Sequence, residues 1–280
     1  MTGLMTTERG AGNRRGAQGL LPLSFSQERL WFLDRYNPDS PLYNLPAYLP
    51  ISGDARPDMV SAALDLIADR HQPIRTRFVA VGGKPHAEPV PDAAIPFEVE
   101  DFGPDLSDDR FNAELAKALK EVGDRTFDLA AGPLMRARLL RRGTRDAWFV
   151  YCLHHIVSDG WSIGIFQREF NAILEAYRAG ERPVLPALPI SFADHAARQH
   201  EAFNGERVAV RLAAWKEKLA GDDLVLPLPA DRPRPAHLTF AGATQSFALD
   251  PDTSRALAEL ARGLGVTPFM LFLAAFKVFL

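Results

Sequence analysis

The chain has 280 residues, of which 47% are hydrophobic, so it is long enough to bury a sizeable core. Its net charge of -3 comes from interspersed acidic and basic residues without a basic stripe, so nucleic acid is not an expected partner. No apolar run reaches the roughly 18 residues that cross a bilayer, so no membrane partner is expected. The single cysteine, Cys152, lies inside an apolar run, which favours core packing. Because it has no internal disulfide partner, a reducing, cytoplasmic location is expected.

The first 182 residues comprise a short lead-in and a region that mixes strands with helices. Residues 1–19 carry three arginines but no apolar segment, which predicts a disordered lead-in. Over residues 20–182 no strict alternating repeat appears, which predicts a layered α/β (α+β) fold for this first lobe. We expect a helix capped by Ser24 and Gln27, a strand at 48–51, a helix from Pro57, a hairpin at 74–90, a strand at 97–100, a helix at 111–122 and paired strands at 134–140 and 148–153.

The composition changes after Gly180. Three prolines mark residues 183–191 as a linker, and residues 192–280 are predicted to begin a second lobe. That lobe should start with a helical region at 192–219 that breaks near Gly205. Further helices are expected after the capping residues Asp250 and Thr267. The last of these helices is apolar almost all round, so it needs burial on most sides, and we expect the second lobe to be truncated.

The most informative stretch is HHIVSDG at residues 154–160. The apolar run before it predicts a buried strand, and the spacing of apolar residues after Gly160 predicts a helix. Adjacent residues at a strand end point to opposite sides, so one of His154 and His155 should face a cleft and the other the interior. Histidine suits proton transfer near neutral pH, and Gly160 allows a close approach of another group.

Three other interpretations of this stretch remain open from the residues alone. A metal site on His154, His155 and Asp159 would need a further ligand, and no cysteine or paired histidine stands at ligand spacing. A purely structural role would make both histidines satisfied core residues and Asp159 a helix cap. A serine triad using Ser158 or Ser162 would lack the glycine-flanked turn that usually presents a nucleophilic serine.

The sequence LHHIVSDGWS at residues 153–162 resembles the signature motif of condensation domains of nonribosomal peptide synthetases. Other segments resemble further motifs of that family in the expected order. They are SFSQERLWFL at 24–33, RHQPIRTRF at 70–78, FDL at 127–129 and GPL at 132–134. Gln72 stands where the family usually has glutamate. The resemblance extends from about residue 20 to the end of the chain.

The resemblance implies an architecture of two lobes like chloramphenicol acetyltransferase, with the active site between the lobes. The first lobe (20–182) should then be complete and the second only begun, so the chain alone is expected to be inactive. The family joins substrates held as thioesters on 4'-phosphopantetheine arms. The implied partners are carrier-protein domains upstream and downstream and an adenylation domain of the same assembly line. No bound cofactor or metal is implied.

By the same resemblance His155 is the catalytic residue. It would either take a proton from the attacking amine or hold that amine in line. Asp159 is implied to pair with an arginine and to shape the loop. The residues implied to support the motif are His154, Asp159, Gly160, Arg75 and Arg77, with the two arginines as candidate partners of Asp159.

The first and central motifs most resemble the subtype that joins an L-configured donor to an L-configured acceptor. An enzyme of the same superfamily that makes an ester, using a carrier-bound or CoA-bound acyl group, is the main alternative. A non-catalytic module that only docks carrier proteins is a second alternative.

Overall fold

The structure is a computed structural model that describes residues 19–144, 146–203, 205–221, 228–233, 235, 240, 242–243 and 245–280. All of the predicted lead-in except Gly19 lies outside the described residues. The chain divides into two units, Met1–Arg211 and Leu212–Leu280.

The first unit is a layered arrangement of helices and strands. Its predicted α/β character is confirmed. The elements, in chain order, are α1 (Phe25–Tyr36), β1 (Asn44–Ser52), α2 (Pro57–Arg70), β2 (Thr76–Val81), β3 (Lys84–Pro89), β4 (Phe97–Asp101), α3 (Asp108–Asp124), β5 (Met135–Arg142), β6 (Asp146–His154), α4 (Gly160–Arg178) and α5 (Phe192–Ala202). A further helix, α6 (Glu206–Lys218), spans the boundary of the two units.

A four-stranded sheet with the order β1-β6-β5-β4 forms the centre of this unit. β6 pairs antiparallel with both β1 and β5, whereas β4 and β5 run parallel. The predicted pairing of 134–140 with 148–153 is therefore confirmed. The predicted hairpin is confirmed as well, since β2 and β3 form a separate two-stranded sheet.

The central strand β6 is buried on both faces, and its side chains alternate between two clusters. Phe149 and Tyr151 pack with apolar residues of α2 and α4, whereas Val150 and Cys152 pack with residues of α3. A strand covered by helices on both faces has a nearly continuous apolar sequence. This explains why residues 148–153 show no polar alternation, and it fixes where the polar residues after the strand emerge.

A third apolar cluster joins the loop after β6 to distant parts of the chain. Ile156 is buried there with Leu23, with Leu30 of α1 and with Phe78 of β2. The loop that carries the HHIVSDG motif therefore rests on α1 and on the hairpin.

The predicted linker at 183–191 lies inside the first unit, because the helix that follows it packs back on the beginning of α1. The Phe25 amide donates to Gln199 Oε1 at 2.9 Å, and His200 Nε2 lies 2.7 Å from the Leu23 carbonyl oxygen. Ala196 on the same helix is fully buried. The break predicted near Gly205 is present between α5 and α6.

The second unit contains two capped helices, α7 (Pro251–Gly263) and α8 (Pro268–Phe279). Both begin at the predicted caps: Asp250 accepts from the Thr253 amide at 2.8 Å, and Thr267 Oγ1 accepts from the Met270 amide at 3.2 Å. Among the described helices, none alone has the length and apolar character to cross a membrane. Only the pair α7 and α8, bent by 104°, reaches that length and composition together.

Candidate active site

His154 and His155 lie at the end of β6 and face opposite sides, as the strand geometry predicts. His154 is 2% exposed, whereas His155 is an exposed residue. The backbone is held by pairing on both sides of the strand, since the His154 amide donates to the Leu134 carbonyl at 3.1 Å and the His155 amide to the Tyr43 carbonyl at 2.8 Å. The two side chains are thus assigned to different environments by the backbone.

The interior residue, His154, is held as a neutral imidazole. Burial lowers its pKa to about 4, and the positive charges of His155 and Arg136 act in the same direction. Its Nδ1 accepts from the Ile156 amide at 3.2 Å, so that nitrogen carries no hydrogen. Its ring meets those of Tyr43 and Phe127 edge to face. His154 therefore acts as a structural acceptor that closes the turn after the strand.

The outward residue, His155, is oriented by a contact with its own loop. Its Nδ1 lies 2.7 Å from the Ser158 carbonyl oxygen. Because a carbonyl oxygen can only accept, Nδ1 must carry the hydrogen, and in the neutral ring Nε2 then has a free lone pair. A lone pair on an exposed, oriented imidazole can take a proton from a substrate.

Further hydrogen bonds hold the loop that follows His155. The Val157 amide donates to the His154 carbonyl at 3.0 Å. The buried Gln27 of α1 donates from Nε2 to the Ile156 carbonyl at 3.1 Å. The sequence identified Gln27 as part of a helix cap and of the motif at 24–33. Its contact with the loop was missed because no local spacing indicates a bond to a residue so distant in the chain.

Asp159 is the N-cap of α4 and does not form the expected pair with an arginine in the described structure. Its Oδ1 accepts from the Ser162 amide at 2.8 Å and from the Ser162 hydroxyl at 2.6 Å. These bonds to Ser162 are the main reason that its pKa is lowered. Apart from its chain neighbours and the backbone of its own helix, Gly160, the first residue of α4, has no described atom within 4 Å of the position that a Cβ would occupy. Its surroundings are therefore open.

The two candidate arginines bind other carboxylates, and neither is paired with Asp159 among the described residues. Arg75 folds back on α2, where it contacts Asp69 and lies 2.5 Å from Asp65. Arg77 pairs with Glu88, its direct neighbour across the hairpin, at 3.0 Å. Arg75 thus has acidic partners on α2 and Arg77 has one across its hairpin, and sequence order alone does not rank those partners.

A second buried cation, Arg136, lies behind the motif and was not singled out by sequence reasoning. Its guanidinium donates to the Thr126 carbonyl at 3.0 Å and to the carbonyls of Val122 and Arg125, and it lies over the Phe127 ring at 3.5 Å. Burial lowers its pKa. Arg136 thus covers the carboxyl end of α3 and contributes positive charge that disfavours protonation of His154.

Cys152 has the packing role expected from the sequence. It is fully buried, and burial raises the pKa of its thiol to about 11, so the thiol remains protonated at neutral pH. Within the described ranges, no group of three or more histidine, cysteine, aspartate or glutamate side chains is placed to hold a metal ion.

Comparisons with known proteins converge on one family. The family model described as "Condensation domain" matches residues 17–280. A linear gramicidin synthase from Brevibacillus parabrevis is 41% identical over 261 residues, covering 93% of this chain and 3% of that protein. Phosphinothricin tripeptide synthetase PhsC of Streptomyces viridochromogenes is 40% identical over 262 residues, covering 94% of this chain and 24% of that protein.

A solved structure shows the same fold. The SgcC5 protein from Streptomyces globisporus, in complex with (R)-(-)-1-(2-naphthyl)-1,2-ethanediol and sucrose, is 30% identical with a TM-score of 0.72. The match covers 92% of this chain and 59% of that one. The chain therefore spans only a small part of the two synthetases and little more than half of the solved structure.

Proposed function

Since the chain belongs to the condensation domain family, with its chloramphenicol acetyltransferase-like fold, we propose that it forms an amide bond between an acyl thioester and an amine. One observation carries this proposal. His155 is exposed, and its Nδ1–H is bonded to the Ser158 carbonyl, which leaves Nε2 as a free acceptor. An oriented acceptor of this kind is what an attacking amine needs in order to lose a proton.

The proposed reaction balances without a further reagent. The acceptor amine nitrogen attacks the thioester carbonyl carbon, a C–N bond forms, and the C–S bond breaks. His155 Nε2 takes the proton that the amine loses and returns it to the departing thiolate. Holding both reactants in line supplies an additional part of the rate, since orientation can lower a barrier by roughly 7–11 kcal/mol.

We place the substrates on 4'-phosphopantetheine arms of carrier-protein domains upstream and downstream, with an adenylation domain in the same assembly line. The two synthetases that match this chain are far longer than it is, so they have room for further domains, which supports this placement. The wording of the motifs at 24–33 and 153–162 supports an L-configured donor and an L-configured acceptor.

The test is His155→Ala in the complete protein that contains this chain, assayed with loaded donor and acceptor carrier proteins. We expect amide formation to fall by about 10²–10⁴-fold, because general acid–base groups contribute that much. His195→Ala is the matched control, since His195 is also an exposed histidine and has no described bond to the motif, and it should retain full activity. Near-normal amide formation by a folded His155→Ala protein would refute the assignment.

A second candidate function, acyl transfer to a hydroxyl group, is favoured by one observation. SgcC5, at 30% identity, was solved with a vicinal diol, which is an alcohol rather than an amine. The two functions separate in a competition assay in which one loaded donor meets matched amine and hydroxyl acceptors. Exclusive ester formation would replace the amide proposal, whereas His155 would keep the same proton-accepting role.

A further inference from the structure

Gln27 is a polar side chain at the point where α1 contacts the loop that carries the HHIVSDG motif. It is 4% exposed, and both ends of its amide are bonded. Oε1 accepts from the Ser24 amide at 3.1 Å, and Nε2 donates to the Ile156 carbonyl at 3.1 Å. Burying an amide without hydrogen bonds costs free energy, so the two bonds of Gln27 stabilise its buried position.

The Ile156 carbonyl lies inside the turn that orients His155. The two neighbouring amides of this turn are both committed to His154: Ile156 N–H donates to its Nδ1, and Val157 N–H donates to its backbone carbonyl. The Ser158 carbonyl that receives His155 Nδ1–H follows two residues after Ile156. Among the described bonds, the turn therefore has one to a side chain of α1, and that bond comes from Gln27.

We propose that Gln27 is a positioning residue for His155. By holding the Ile156 carbonyl, it keeps the Ser158 carbonyl under Nδ1–H and so leaves Nε2 free as the proton acceptor. The effect of Gln27 on catalysis rests on the proposed function. Its effect on the orientation of His155 does not.

A helix-capping role alone would predict different behaviour, and the chain offers variants that separate the two. Gln27→Met keeps the approximate length and volume of the side chain and removes both polar groups. Ser24→Ala removes the hydroxyl that accepts from the Gln27 amide at 3.3 Å but leaves the bond to Ile156. Gln72→Met makes the same chemical change at a second glutamine, which lines one small cavity together with Gln27 and has no described bond to the loop.

The first readout is the tautomer of His155, measured by ¹⁵N NMR of the ring nitrogens in the 280-residue chain labelled at histidine. The spectra are recorded at about pH 8, because the two nitrogens of a neutral imidazole report where its hydrogen lies. The chain has seven histidines, and the His155 signals are assigned by their loss in His155→Ala. We expect the Nδ1–H form to dominate in the parent, in Ser24→Ala and in Gln72→Met, and to give way to a mixture in Gln27→Met.

The second readout is kinetic, in the complete protein. Because a misplaced catalytic group can cost up to about 10²-fold, Gln27→Met should lower kcat by about 10- to 100-fold while KM stays within about 3-fold. The two control variants should keep the parent kcat. If the parent protein itself forms no amide bond, the proposed function fails, and the tautomer measurement still decides the role of Gln27.

Gln27→Asn is the reserve variant if Gln27→Met does not fold. It keeps an amide near the helix start but is one methylene too short to reach both partners, so it should show the same loss of the Nδ1–H form. A folded Gln27→Met or Gln27→Asn chain that keeps the parent tautomer overturns the proposal. So does failure of both variants to fold, because Gln27 would then be a folding residue without a separable effect on His155.

Discussion

The loop at residues 154–158 and the helix α8 depend on different kinds of contact. The loop is held by partners far away in the chain: Gln27, which lies 129 residues before Ile156, and Tyr43. Helix α8 is defined by its own cap at Thr267, and its apolar side chains are open, with Phe269 73% and Phe279 84% exposed. Local signals therefore suffice to form a helix, whereas the orientation of a catalytic group depends on long-range packing.

The largest expected effect comes from a substitution that leaves a cavity beside β6, the strand that leads into the loop. Phe149 is fully buried in β6 and stacks on Phe170 at 4.5 Å. We expect Phe149→Ala to lower the free energy of unfolding by about 3–5 kcal/mol, because it removes contacts that neighbouring side chains cannot refill. Urea unfolding measures this loss. A change below about 1 kcal/mol would mean that the core around β6 is not packed as described.

The second test uses pH to challenge the buried histidine. His154 has a pKa of about 4 in the folded chain and about 6.5 when unfolded. Between these values the unfolded state binds more protons, so stability falls as pH is lowered from about 6.5 to 4. At pH 4.5 the loss from this residue should be about 2–3 kcal/mol.

His154→Asn provides the control for this titration. Asn can still accept from the Ile156 amide, but it does not titrate. The difference between parent and variant in urea unfolding at pH 7 and 4.5 isolates the histidine. Identical pH dependence in the two proteins would show that His154 is accessible to protons when folded.

The third test concerns the cap at the start of α4. Asp159→Ala should cost about 1 kcal/mol, because it removes an N-cap, and not the roughly 3–5 kcal/mol of a broken buried ion pair. Asp159→Ser, which can also accept from the Ser162 amide, should restore most of the loss. A loss above about 3 kcal/mol in thermal or urea unfolding would restore the expectation of a charged partner.

The carboxylate of Asp159 should also contribute a pH dependence to stability. Its bonds with Ser162 lower its folded pKa, so its contribution to stability is present above the unfolded pKa of about 3.9 and is lost as pH falls through the folded value. Asp159→Ser should lack this acid-dependent part.

The features that could be predicted from sequence are those set by local period and local caps. The alternation of sides along a strand predicted that His154 and His155 face opposite ways, and the spacing of Ser24 and Gln27 predicted the cap of α1. The pairing of β5 with β6 was predicted from an alternating strand and an apolar strand on either side of a short turn.

The features that could not be predicted depend on choices between distant partners. Arg75 and Arg77 each have several carboxylates within possible reach, and only the folded geometry selects Asp65, Asp69 and Glu88. The bond from Gln27 to the loop has the same origin. A motif therefore indicates which side chains carry the chemistry, whereas the groups that orient them emerge from packing.

The smallest expected effect on stability is that of a substitution in α8. Phe279→Ser should change the free energy of unfolding by no more than about 0.5 kcal/mol, because the side chain has little contact to lose. The same change should reduce self-association of the 280-residue chain, since contiguous exposed apolar side chains favour association. Sedimentation velocity over a range of concentrations measures the second effect, and a double variant with Phe269→Ser should strengthen it. A loss of stability comparable to that of Phe149→Ala would show instead that α8 is buried in solution and that its long-range contacts rival those of the loop.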